Sequence, residues 1–107
     1  MSPTEVSGPL PPEEVVRRFY GFLARGQLVD ALDLFTTDAR LREGTKRESS
    51  GIRAIAASLL RYREPQEISV ERVEADGAEV RAVVRSKEGR SIGRFSVARG
   101  RIRAAQM

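Results

Sequence analysis

The chain has no histidine and no cysteine among its 107 residues, so acid–base chemistry falls to carboxylates, two tyrosines, two lysines or water. Glu43 stands out among the carboxylates. Ala39, Leu41 and Glu43 alternate with Arg40 and Arg42, the period of a strand with one buried face, so Glu43 is expected to point inward beside apolar side chains. A carboxyl group taken out of water holds its proton more readily and moves toward the working range of a general base. The competing expectation for Glu43 is a solvated strand end, paired with Arg42, Lys46 or Arg47. Tyr62, on the apolar stripe of a helix, offers a hydroxyl to any cavity beside that strand, as a second catalytic candidate. Gln106 alternates inward with Ile102 and Ala104 and would bring an amide. No phosphate-cradling glycine loop, nucleophile elbow or metal-spaced cluster is present, and neither a metal nor a cofactor is expected.

The elements that must position these groups follow from periodicity. Residues 1–12 carry four of the five prolines and read as a flexible leader, with residues 13–107 forming one domain. Pro11-Pro12-Glu13-Glu14 is a helix start, with proline early and acids in the first turn. Val15, Phe19, Phe22 and Leu23 then form an apolar stripe, and Arg25-Gly26 closes the helix. A shorter helix is expected from Gln27 to Phe35, burying Leu28, Ala31, Leu32 and Phe35. The strand carrying Glu43 comes next, with a turn at Gly44-Thr45-Lys46 and a weak return strand over 46–49. Ser49 or Ser50 is placed to cap a third helix with Ile52, Ile55, Ala56, Leu59 and Tyr62 on one face, ended by Pro65.

From Glu67 onward the period changes to two. Turns at Asp76-Gly77, Lys87-Glu88-Gly89 and Arg99-Gly100 divide the rest into a four-strand antiparallel meander with one apolar and one charged face. The apolar face needs cover, and three amphipathic helices are the available cover. The expected fold class is therefore α+β, with three N-terminal helices packed in the concave face of a curved, mostly antiparallel sheet. Gly93, Ala82 and Ala104, small and turned inward, are expected to leave a hollow in the middle.

Composition narrows the function classes. Hydrophobic residues make up 40% and charged residues 32%, as in an ordinary globular domain, and no apolar run approaches a membrane span. With no signal-peptide pattern at the start, a cytoplasmic location is the default expectation. The net charge of +4 rests on 17 arginines against 2 lysines, dispersed among 15 acids. Arg81, Arg85, Arg94, Arg101 and Arg103 share the outer sheet face with Glu71 and Glu79, and that side lacks aromatics for base stacking. Cross-strand ion pairs or a polar dimer interface fit this pattern better than nucleic acid.

The stretch Val15-Val16-Arg17-Arg18-Phe19-Tyr20, then Leu23-Ala24-Arg25-Gly26 and Ala31 through Ala39 (ALDLFTTDA), resembles the nuclear transport factor 2-like superfamily, which includes SnoaL-like polyketide cyclases and ketosteroid isomerases. Gly51-Ile52-Arg53-Ala54-Ile55 and Gly100-Arg101-Ile102 are similar to the superfamily's third-helix opening and final-strand entry. The resemblance covers residues 13–106 and implies a cone-shaped, cystatin-like roll with a pocket at its open end, often dimeric through the outer sheet face. By resemblance to the isomerases, the base falls on Glu43, but the tyrosine donor falls on Phe19 and the neutral-acid donor on about Gly93, so steroid isomerisation is not implied. Tyr20 lies one residue, or ~100° of helix rotation, from the donor position.

The sequence thus points to a small-molecule binding protein of the SnoaL-like type. Its pocket would be lined by Phe19, Leu23, Phe35, Leu41, Ile55, Leu59, Tyr62, Val84, Phe95, Ala104 and Gln106, and would take a small apolar or polycyclic ligand. If it is an enzyme, which the residues leave open, it is a cofactor-free isomerase, cyclase or dehydratase with Glu43 as base. The alternatives are a non-catalytic, dimerising interaction module with no ligand and, third, a nucleic-acid binder.

Overall fold

A computed structural model describes residues 10–107 and orders them as helix–helix–strand–strand–helix followed by a meander. The expectation of a leader falls mostly on residues 1–9, which lie outside the described residues; Leu10 is partly buried against the core and Pro12 is already helical. Helix α1 (Pro12–Ala24) turns Val15, Val16, Phe19, Tyr20 and Leu23 inward. Gly26, at φ 74°, ends it where a side chain would strike Pro65. The backbone N–H of Gln66 donates to the Ala24 carbonyl, tying the exit of the third helical segment to the end of α1.

Helix α2 (Leu28–Leu32) is shorter than its sequence pattern suggests. Phe35 opens strand β1 (Phe35–Arg42) instead of closing α2. The Phe-Thr-Thr run favours extended backbone, and pairing with Ile102 secures it. Ser49 and Ser50 do not cap a helix; they form β2 (Ser49–Ser50) against Leu41 and Arg40, and Gly51 stands at the helix start without a side-chain cap. Helix α3 (Ile52–Ser58) tightens into a 3-10 turn (Leu60–Arg63), and Glu64, before Pro65, is extended.

The meander comprises β3 (Ile68–Asp76), β4 (Glu79–Ser86), β5 (Gly89–Ala98) and β6 (Arg101–Gln106). Two-residue turns join β3 to β4 and β5 to β6; in the second, Arg99 and Gly100 both hold positive φ, as a twist-matched hairpin requires. The six strands run in the order β2-β1-β6-β5-β4-β3, antiparallel except where β1 lies parallel to β6. Three helices pack on this curved sheet. The register shifts between Val70 and Arg72 and again between Ser96 and Val97. The second shift corrects the alternation expected for β6: after Ile102 the buried residue is Ala105, while Ala104 is half-buried and Gln106 exposed.

The expected central hollow is filled. Phe19 meets Phe35, Phe95 and Tyr20 edge to face with ring centroids 5.4–5.7 Å apart, and Tyr20 meets Phe95 at 5.6 Å. Gly93 makes room for this cluster: a Cβ there would collide with the Tyr20 hydroxyl and stand 2.9 Å from Phe95 Cε1. The small inward residues are the complement of large ones on α1, and the floor of the cone is sealed.

Candidate functional site

Beyond that floor, the mouth of the cone stays open. Glu43 follows β1 directly and keeps its phase with Ala39 and Leu41, so it is buried, at 9% exposure. Its partners come from the tightening of the third helical segment. Ser58 and Arg61 sit three residues apart where α3 passes into the 3-10 turn, and both reach the same carboxylate. Arg61 Nη2 donates to Glu43 Oε2 at 2.7 Å; Ser58 Oγ donates to Oε1 at 3.2 Å, with Arg61 Nη1 at 3.5 Å from the same oxygen. Arg61 Nη2 also donates to the Tyr62 hydroxyl at 2.9 Å, and the guanidinium lies over the Tyr62 ring, 4.5 Å from its centroid. Gln66 anchors the turn by donating to the Arg61 carbonyl at 3.0 Å.

This cluster forms one wall of a cleft of about 300 Å³. Tyr20, Val84, Ser86 and Ser91 contribute from the floor and the sheet, Ile68 and Met107 add apolar surface, and Lys46 and Glu88 stand at the rim. Desolvation opposes the Arg61 cation, but the hydrogen bond it donates to Glu43 and the influence of Tyr62 outweigh it and raise its pKa. Burial raises the Tyr62 pKa, against the pull of Arg61. Burial also pushes the Tyr20 hydroxyl far above the ordinary tyrosine value, with Tyr62 adding to the shift. Both tyrosines are therefore neutral O–H groups at physiological pH. The wall offers a fixed carboxylate, a committed cation and two phenolic donors. Among the described residues, no three acidic side chains come together as a metal site would need.

Neither a family model nor a curated protein sequence matches the chain. Solved structures do. An NTF-2 like protein of unknown function from Burkholderia xenovorans LB400 superposes with a TM-score of 0.76 at 12% identity, over 89% of this chain and 79% of that one. A LEH-like epoxide hydrolase from M. tuberculosis gives 0.71 at 22% identity, over 89% and 79%. SalBIII, an epoxide hydrolase/cyclase-like enzyme of pyran ring formation in salinomycin, gives 0.77 at 15% identity, over 89% and 87%. The fold is nuclear transport factor 2-like. At these identities the likeness concerns the fold alone.

Within that nuclear transport factor 2-like frame, the sequence candidates separate into three groups. Glu43, Tyr62 and Val84 line the cleft. Phe19, Leu23, Phe35, Leu41, Ile55, Leu59 and Phe95 are at most 3% exposed and belong to the packed core. Ala104 and Gln106 lie on a separate shallow hollow with Arg40, Arg42 and Arg94, and Gln106 donates its amide to the Gly44 carbonyl at 3.2 Å. The partners expected for a solvated Glu43 were Arg42, Lys46 or Arg47; the partner found is Arg61. Sequence reasoning missed Ser58 and Arg61. Their i,i+3 spacing, ending one residue before Tyr62, is the signal that places all three at one helix end.

Proposed function

We propose that this chain is a small-molecule binding protein of the SnoaL-like type whose ligand occupies the cleft beside Glu43. The observation that carries this reading is a buried carboxylate that is oriented by Arg61 and Ser58 and still opens on a cavity of about 300 Å³. That volume lies at the small end of ligand pockets, about ten water volumes, and favours a compact ligand over a polycyclic one. If the bound molecule is turned over, Glu43 is the base for proton abstraction next to a carbonyl, or for a related cyclisation or dehydration. The C–H proton passes to a carboxylate oxygen, the electron pair is taken up at the substrate's carbonyl oxygen, and Tyr62 is the candidate donor to that oxygen.

The test is a thermal-shift and turnover screen of compact cyclic carbonyl compounds against the parent protein and Glu43→Gln. Ligand-dependent stabilisation of the parent supports binding by mass action. Turnover lost in Glu43→Gln with binding retained supports the base role, and equal turnover removes Glu43 from it.

A second reading, self-association through the outer sheet face, draws on Ile92, which is 48% exposed opposite half-buried Val83. It is an apolar spot between the Arg81–Arg94 and Arg85–Arg90 cross-strand pairs. Native mass spectrometry showing only monomer removes it. Nucleic acid is disfavoured, since Glu71 pairs with Arg85 and Arg90 and Glu74 with Arg72 on the same sheet. No helix among the described residues is long and apolar enough to cross a membrane.

A further inference from the structure

The arginines of the outer sheet face divide into two groups. On the β3–β5 side, Glu71 receives Arg85 and Arg90, and Glu74 receives Arg72, so charge is offset within the sheet. On the β6 side, Arg99, Arg101 and Arg103 are exposed and join no ion pair among the described residues. With Thr36 and Ala98 they line a hollow of about 550 Å³ whose lining includes no acidic side chain. The Thr36 hydroxyl already donates to Asp38, so the guanidinium groups are what the hollow offers. Arg101 is restrained by donating to the Asp33 carbonyl. Arg99 stands at φ 54°, the one non-glycine residue with positive φ among the described residues, at a hairpin position that glycine, asparagine or aspartate fills most readily. An arginine there costs the turn some stability and adds the third cation to the hollow.

We infer that this hollow is a second binding site, for a compact phosphate-bearing ligand such as a phosphomonoester or a diphosphate. It is separate from the cleft: β1 starts beside the hollow and ends at Glu43, roughly 20 Å further along the strand. Three guanidinium groups around one space repel one another, and a multivalent anion relieves that repulsion more fully than a monovalent one. Their planar N–H forks match phosphate oxygens two at a time, and phosphate presents more oxygens than a carboxylate does. A small ligand fits this surface better than a polymer. Further along β6 the next hollow carries Glu48 and Glu79, which interrupt the longer basic track that a nucleic-acid backbone needs.

The experiment titrates the whole chain with inorganic pyrophosphate in about 0.15 M salt. Two-dimensional nitrogen–proton NMR follows the backbone amides of Arg99, Gly100 and Arg103 and the arginine Nε–H signals. Pyrophosphate is expected to shift these signals, to bind tighter than benzoate, and to leave Gly44, Ser86 and Ser91 at the cleft in place. Arg99→Asn, which suits the positive φ of the turn, and Arg103→Gln should each weaken binding roughly two- to fivefold, the range of an exposed charge contact, without lowering the melting temperature. Arg81→Gln, on the same sheet face but outside the hollow, should leave the affinity unchanged. Equal weakening in Arg81→Gln would reveal diffuse attraction to net charge and overturn the site, as would no shift at the hollow or a preference for benzoate. A single-stranded oligonucleotide or phosphatidylserine vesicles binding tighter than pyrophosphate at equal phosphate concentration overturn the choice of a small ligand. Each of these failures leaves the Glu43 cleft as a separate question, since its signals are read independently.

Discussion

The floor and the mouth of this cone are made from neighbouring residues and behave as opposites. On the floor, Phe19, Tyr20, Phe35 and Phe95 interlock edge to face over Gly93, none more than 4% exposed. At the mouth, Glu43, Arg61 and Tyr62 hold one another by charge-assisted hydrogen bonds around open space. The floor is stabilised by apolar contact that is sensitive to any change of volume, whereas the mouth is held by directional, charge-assisted contacts. Tyr20 belongs to both, with its ring in the floor and its oxygen at the mouth. The difference teaches that a packed apolar floor and an open polar mouth meet within a few residues of α1 and β5.

The sharpest way to break the comparison is to open the floor. Phe19→Ala is expected to cost about 3–5 kcal/mol, a large part of the total stability of a domain this small. Urea denaturation measures it. A loss as small as that of a surface substitution would mean that the floor is not the packed centre described here.

Gly93→Ala attacks the same cluster from the sheet side. The added methyl meets the Tyr20 hydroxyl and the Phe95 ring, and overpacking of this kind costs about 1–3 kcal/mol. Tyr20→Phe removes one of the two collisions, so Gly93→Ala should cost less in that background. A double-mutant cycle with no coupling would show that the hydroxyl does not sit over Gly93.

At the mouth, Arg61→Met leaves the buried Glu43 carboxylate with Ser58 alone and is expected to cost about 1–2 kcal/mol, less than a fully buried pair because Arg61 is half-exposed. In Glu43→Gln the same change should cost much less. If Arg61→Met is equally harmful in both backgrounds, its contribution comes from packing over the Tyr62 ring.

How much of this was legible in the sequence depends on which region is asked about. The helical stripe of α1, the meander and its turns, and the inward phase of Glu43 all follow from local periods, which the fold obeys wherever strands run without interruption. The hollow inferred from Gly93, Ala82 and Ala104 failed because periodicity gives direction and not volume: a small residue facing inward is as well explained by a large partner across the core, here Tyr20. Ala104 and Gln106 were misread because a bulge resets the two-residue alternation, and nothing in a run such as Arg-Ile-Arg-Ala-Ala-Gln announces one. Phe35 moved from helix to strand through a tertiary choice, its pairing with Ile102 nearly seventy positions away. The Glu43–Arg61 pair likewise joins distant segments, and only the tightening of the chain after Ser58 brings the guanidinium round.

Alkaline pH reads the two regions together. The pKa values of Tyr20 and Tyr62 are both raised by burial, so the folded state resists ionisation that the unfolded chain accepts near pH 10. The unfolded state then binds fewer protons than the folded one, and stability falls as pH rises above about 10, while below that value the two groups impose no pH dependence. Urea midpoints between pH 8 and 11.5 should therefore be flat and then decline, with a shallower decline in Tyr20→Phe. An unchanged slope in that variant would place the Tyr20 oxygen in water.

The outer face supplies the weakest effect and a control for the rest. Glu71 receives hydrogen bonds from Arg85 at 2.6 Å and Arg90 at 2.9 Å, and the Arg85 bond is the main cause of its lowered pKa. A lowered carboxyl pKa means that the folded state releases its proton first. Its contribution is therefore present at neutral pH and is lost as pH falls below the usual carboxylate range through the folded value. Glu71→Gln should differ from the parent only slightly near pH 7, and the difference should disappear both in acid and in about 1 M salt, where the Debye length shrinks to about 3 Å. The Glu43–Arg61 pair, closed off from ions on the carboxylate side, should keep most of its effect in the same salt. Equal salt sensitivity of the two pairs would mean that the mouth is as open to solvent as the outer sheet, and that the carboxylate at its centre is not held for a ligand.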